Sequence, residues 1–290
     1  MRAWTTLAVL SALMVVDFVD RQIVVSMFPH LRATWGLGDR ELGALASIVA
    51  VTVAAGAIPI AYLADRLGRV ATIAAMALVW SAATIACAFA QSYAQLLAAR
   101  AVVGLGEAAY GAAGAALLAT LFPPRLRSTV MGVFLSCALF GSVIGVALGG
   151  VLADRYGWRA GFGAAGVPGV VLAVLFFAFA RGDRAVAAPV RDASRPLRAV
   201  AATIARSRTL LCACLGGALQ LVVVSSVYAW LPSYFHRQYA LAPADAGVRT
   251  ALVVLVAALG TIAASVVADR LARRRSGARL RVAATCALVS

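Results

Sequence analysis

Five ionisable residues lie inside long apolar segments: Asp17, Asp20 and Arg21 in one, Arg100 and Glu107 in another. A charge near mid-bilayer costs about 3 kcal/mol on insertion scales, so such residues face a partner or a watery cavity. Spacings of three and four put Asp17, Asp20 and Arg21 on one helical face. Arg100 and Glu107, seven apart, share a face of their own segment, with Gly104 and Gly111 between and beyond them. Mixed-sign stripes on two helices can act as a proton or ion relay along a solute path. The plainer alternative is a salt-bridge cluster that holds two helices together. A paired arginine favours an ionised carboxylate and desolvation favours a neutral one, so a carboxylate between them can change protonation as a cavity opens and closes. Glu107 and Asp20, with Asp17 beside them, are the candidate carriers. Arg21 and Arg100 are their charge partners, or the groups that would bind an anionic headgroup.

The segments that position these residues are hydrophobic enough to cross a membrane. The chain has 290 residues, 63% of them apolar, and a mean hydropathy of +0.93. That composition excludes an ordinary soluble domain and points to an all-α polytopic membrane protein. Runs of about 20 apolar residues place spans near Trp4–Met27, Glu41–Ala64, Ala71–Ala90, Ala94–Leu121, Ser128–Ala153, Ala160–Ala180, Thr209–Tyr234 and Ala246–Ala268. A further run begins near Leu280. At about 1.5 Å per residue, Asp20 and Arg100 lie at similar depth. Asp20 is therefore expected within reach of Arg100, with Asp17 and Arg21 nearer to Glu107.

The net charge of +15 does not imply nucleic acid, because the charges cluster between apolar runs. All 26 basic residues are arginine, a composition resembling that of high-GC bacteria. With a cytoplasmic N-terminus, 18 arginines fall inside and 6 outside, which orients the chain by the positive-inside rule. The first span is too long and too charged for a cleaved signal peptide. Cys87, Cys137, Cys212, Cys214 and Cys286 all lie in apolar spans without metal spacing and read as small packing residues. No hydrolytic or redox site, cofactor motif or Lys-bearing phosphate loop appears, so neither an enzyme nor an ATP-driven machine is expected.

The division is a six-helix bundle over residues 1–180, a cytoplasmic linker over 181–208 that is rich in arginine, and a partial second bundle over 209–290. The linker could also lie against anionic lipid. An internal repeat supports two related bundles: Ala61-Tyr62-Leu63-Ala64-Asp65-Arg66-Leu67-Gly68-Arg69 closes the second span, and Ser265-Val266-Val267-Ala268-Asp269-Arg270-Leu271-Ala272-Arg273 closes the eighth.

The stretch from Ala61 to Arg69 resembles the loop signature of the major facilitator superfamily, with Ala61 and Val70 departing from it at either end. Gly141, Gly145, Gly149 and Gly150 look like the glycine signature of its antiporters, although Val146 stands where proline is usual. Within the superfamily the chain resembles the spinster-like group. The residues that carry the likeness are Asp17-Phe18-Val19-Asp20-Arg21-Gln22, Arg100-Ala101-Val102-Val103-Gly104-Leu105-Gly106-Glu107-Ala108, and Leu121-Phe122-Pro123-Pro124-Arg125.

The resemblance implies a bacterial inner-membrane, proton-linked or facilitative transporter of an organic, amphiphilic solute, such as a lysolipid. Its partners would be protons, the small organic or lipid-like substrate and membrane lipids, with no nucleic acid. It implies a cytoplasmic gate built from Asp65, Arg66, Gly68 and Arg69, with Asp269, Arg270 and Arg273 as the second copy. The family partner of Asp65, at the start of an eleventh helix, is not in this sequence. The seventh span would line the cavity, through Gln220 and Tyr228 above all; Trp230 suits either the cavity or an aromatic belt. Two rival readings stay open: an organic-anion symporter using Arg21 and Arg100, and a truncated, non-transporting membrane fragment with about eight and a half of twelve helices.

Overall fold

A computed structural model describes residues 2–108, 110–180 and 206–272 together with residue 285. Residues 181–205 of the linker, Arg273 and, apart from residue 285, the run from Leu280 lie outside the described residues, as do the side chains of Asp65, Arg66, Asp269 and Arg270. Every described element is helical: α1 (Arg2–Ser26), α2 (Phe28–Trp35), α3 (Asp39–Leu67), α4 (Arg69–Ala88), α5 (Tyr93–Glu107), α6 (Tyr110–Leu121), α7 (Pro124–Tyr156), α8 (Trp158–Ala180), α9 (Arg208–Tyr239) and α10 (Pro243–Ala272). Six stretches among the described residues are long and apolar enough to cross a membrane: Asp39–Ala64, Arg69–Ala88, Tyr93–Leu121, Val130–Tyr156, Trp158–Phe179 and Leu215–Tyr239.

Two differences from the sequence expectation matter for the site. The first apolar span does not run directly into a loop. It is followed by the short helix α2, which carries proline at its start and closes on Gly36, a left-handed residue at φ +66° whose N–H donates to Arg32 O at 2.8 Å. The expected fourth span, Ala94–Leu121, is divided into α5 and α6. Ala108 leaves helical geometry at φ −59°, ψ 129°. Gly104 and Gly106 just before it are weak helix formers, and their backbones are held against other helices instead.

The chain forms two compact units, one of residues 1–194 with 229–251 and the other of 195–228 with 252–290. In the first, α1 lies most extensively against α7 and α8, and α4 against α8, α5 and α3. Missing side chains permit these approaches. A Cβ at Gly145 would stand 2.7 Å from Val19 O, and one at Gly149 would stand 2.9 Å from Ile23 O. The glycine stripe of α7 is thus the seat of α1, and Ser26 Oγ donates to Val146 O across it at 3.0 Å. On α5, a Cβ at Gly106 would meet Trp80 N of α4 at 2.6 Å, and one at Gly104 would meet Val49 O of α3 at 2.5 Å.

Two apolar clusters fill the first unit. One gathers Leu7, Leu10, Leu13 and Met14 of α1 with Trp80, Tyr110, Phe134 and Phe176. The other gathers Ile23 and Val24 with Phe28, Leu42, Leu45, Leu96 and Phe162. Asp17 and Asp20 fall on α1 where one cluster gives way to the other. Of the second unit, the described portions are the N-terminal part of α9 and the C-terminal part of α10, whose large apolar side chains such as Leu219, Val222, Val256 and Leu259 are exposed.

Candidate functional site: a buried ionic cluster on α1 and α5

The pairings expected from depth are present. Arg100 Nη1 donates to Asp20 Oδ2 at 2.9 Å, with both side chains about 1% exposed. Arg21 Nε donates to Asp17 Oδ1 at 3.2 Å, one helical turn away. The Nη2 atom of the same guanidinium stands 2.8 Å from Glu107 Oε2 on α5. That second contact is an ion pair without hydrogen-bond alignment, so both Glu107 oxygens lack a hydrogen-bond partner among the described residues. Asp20 Oδ1 and Arg100 Nε are likewise buried without one.

Local structure explains the placement. Ser92 starts α5, its hydroxyl accepting from Gln95 N–H at 3.3 Å, which sets the helix on the register that points Arg100 at α1. The two glycines wedge α5 between α3 and α4, and Glu107 is the last residue before the break. Tyr110 resumes the chain in α6, donating its hydroxyl proton to Leu10 O at 2.7 Å and packing edge-on to Trp80 with centroids 5.2 Å apart. Tyr110 was not legible as a site neighbour; its one sequence signal is its place three residues after Glu107. Arg21 also lies over the Phe18 ring at 5.3 Å and, at 30% exposure, is the most accessible member of the cluster.

The electrostatics follow from counting. Three carboxylates face two guanidinium groups, so the fully ionised cluster carries one uncompensated negative charge. One proton or one cationic ligand group would balance it. Ionised groups withdrawn from water need partners, and the unfilled bonding capacity at Glu107 is where such a group could go. No set of histidine, cysteine and acidic residues that could hold a metal occurs among the described residues.

The other sequence candidates lie elsewhere. Gly68, buried at φ +92°, makes the turn between α3 and α4, and Arg69 Nη1 donates to Ala116 O on α6 at 3.4 Å. Gln220, exposed, and Tyr228, half-buried, belong to the second unit. Trp230 packs on Phe28 at 5.7 Å and beside Gly43, at the far end of α1 from its N-terminus.

Comparison with known proteins identifies the family and the fold. The sequence profile described as Major Facilitator Superfamily matches residues 10–290. The chain belongs to that superfamily. A probable 4-methylmuconolactone transporter of Cupriavidus pinatubonensis is 30% identical over 94% of this chain and 65% of its own length. Protein spinster of Drosophila melanogaster is 24% identical over 83% of this chain and 40% of its own. The mouse sphingosine-1-phosphate transporter is 27% identical over 79% and 43%. In fold, a bacterial homologue of the human lysosomal transporter Spinster, solved inward-facing and unoccupied, superposes with a TM-score of 0.81 at 23% identity, over 94% of this chain and 64% of that one. Within the superfamily these likenesses group the chain with the spinster-like proteins. Its family and these relatives are transporters, not enzymes. The chain spans less than two thirds of the length of each of them.

Proposed function

We propose that this chain is the core of a secondary active transporter, proton-coupled, for a small organic amphiphile. The observation that carries the reading is the buried cluster of three carboxylates and two arginines, one proton short of neutrality, with Glu107 bonded least. Protonation at Glu107 would release Arg21 from α5 while leaving it on Asp17. That makes the α1–α5 contact sensitive to a proton, as coupling requires. Asp20 and Arg100 hold the same two helices more tightly and serve as the fixed partner.

The remaining assignments belong to this proposal. The bundle over 1–180, the linker over 181–208 and the helices of 209–290 would work in a bacterial inner membrane with the N-terminus cytoplasmic, surrounded by lipid. The Asp65–Arg69 loop and its copy at Asp269–Arg273 would gate the cytoplasmic side, and Gln220, Tyr228 and Trp230 would line the solute path. The substrates for which two of these relatives are named, sphingosine-1-phosphate and 4-methylmuconolactone, share an organic body with polar oxygen groups. Organic-anion symport is the second reading, favoured by the exposure of Arg21: it is the cluster's one cation that a solute carboxylate could reach.

The test is proton-gradient-driven flux of lysolipid and organic-anion panels in proteoliposomes. This chain is run beside a version extended to twelve spans, each with and without Glu107→Gln. Driven flux that collapses with Glu107→Gln supports coupling through this cluster. Driven flux unchanged by Glu107→Gln reduces the charges to helix adhesion, and flux that depends on solute charge but not on pH supports the organic-anion symporter.

A further inference from the structure

At the end of α1 farthest from the ionic cluster's N-terminal neighbours, a pocket of about 260 Å³ opens between α2, α3 and the C-terminal turn of α9. It lies wholly within the first unit. One wall is apolar: Phe28, Pro29 and Leu42. The other is cationic and polar: Arg32, Arg237 and His236, above the buried Ser233. His236 Nδ1–H is committed to Leu241 O at 2.7 Å, which fixes that ring.

The two arginines share one carboxylate. Arg237 holds Asp39 with a two-pronged grip, Nη1 to Oδ2 at 3.0 Å and Nη2 to Oδ1 at 2.5 Å. Arg32 reaches the same Oδ1 through Nη2 alone. No other hydrogen bond engages either guanidinium among the described residues. Each guanidinium has five N–H donors, so most donors at this pocket are unspent, and two positive charges meet one negative. All three side chains are about half exposed, where an ion pair is weak and exchanges readily with solutes. Arg237 is also held in place by the Trp230 ring, 5.9 Å from its centre. A planar guanidinium pair with spare donors suits carboxylate or phosphate oxygens.

We propose that this pocket is a second ligand site, distinct from the ionic cluster, which takes an organic oxyanion in exchange for Asp39. The carboxylate or phosphate head sits on Arg32 and Arg237, and the apolar body lies against Phe28, Pro29 and Leu42. Asp39 is the internal competitor that occupies the arginines when no ligand does. The head can come from a free organic acid or from an anionic lipid. The site stands on its own residues and does not require that Glu107 carry a proton.

The experiment is calorimetric titration of the purified chain in a neutral detergent with 1-naphthoate, and with 1-naphthamide as the uncharged control. Naphthoate binds and naphthamide does not. Arg32→Gln and Arg237→Gln each weaken naphthoate about tenfold or more, the size expected for losing one charge-assisted hydrogen bond. Asp39→Asn tightens it by about the same factor, because the competitor is gone. Equal binding of both probes, indifference to the arginine substitutions, or an Asp39→Asn variant that binds no tighter overturns the proposal. All variants are checked for unchanged elution on size exclusion. Repeating the titration in nanodiscs of phosphatidylcholine or phosphatidylglycerol assigns the source: competition by phosphatidylglycerol alone marks a lipid head, and its absence a free acid.

Discussion

Glu107 ends α5 with its carboxylate 2.8 Å from Nη2 of Arg21 on α1, yet neither of its oxygens accepts a hydrogen bond from a described residue. The same guanidinium keeps a hydrogen bond to Asp17. Removing the Glu107 charge therefore leaves Arg21 paired and brings the cluster to two carboxylates against two arginines. Coupling free energies between sites are about 1–3 kcal/mol, so Glu107→Gln should cut gradient-driven flux about 5- to 150-fold. Exchange of labelled solute without a gradient should persist. Driven and exchange flux measured on the same proteoliposomes check this.

Arg100 and Asp20 are a different case, because both are enclosed. Arg100→Gln alone strands a buried carboxylate, and Asp20→Asn alone strands a buried guanidinium. Each should cost about 3–5 kcal/mol. The double variant should cost much less than their sum. Thermal unfolding of the four proteins in one detergent gives the cycle; strict additivity would show that the two groups do not act as a pair.

The α1–α7 seam gives a steric prediction. At Gly145 a new side chain would strike Val19 O, whereas at Gly132, on the same helix, nothing stands within 4 Å of a Cβ. Gly145→Val should destabilise by about 1–3 kcal/mol, and Gly132→Val should not. The comparison of their thermal midpoints removes any general effect of valine in a helix.

At the far end of the same unit, Asp154 Oδ2 accepts from Ala244 N–H at 2.9 Å, and its Oδ1 lies 3.1 Å from His30 Nε2. Asp154 thus satisfies a free N–H in the first turn of α10 from outside that helix. Asp154→Ala should cost about 0.5–2 kcal/mol, as the loss of a cap does. Faster hydrogen exchange confined to residues 244–246 would locate the loss there.

How much of this was legible before the structure depended on range. Spacing alone put Asp17, Asp20 and Arg21 on one face, and rise per residue alone set Asp20 level with Arg100, because both inferences use helical regularity. The break after Glu107 escaped that logic: it arises where Gly104 and Gly106 press on α3 and α4, contacts that no local pattern records. The Asp39 triad escaped for a related reason. Arg32 and Asp39 are joined by the sharp turn through Gly36, and Arg237 comes from nearly two hundred residues away, so sequence showed three loop charges and no partnership. Trp230 was balanced between two roles because its aromatic body suits both, and only packing on Phe28 gives it an address.

The two glycines of α5 have a mechanical consequence. With one flank of the helix against the Val49 backbone and the opposite flank against that of Trp80, α5 cannot spin about its own axis without collision on either side. A rearrangement that separates Arg21 from Glu107 is then not a rotation of α5 about its own axis, and α3, α4 and α5 keep their mutual register. Distances between labels on α5 and labels on α3 or α4 should accordingly stay constant through any such change.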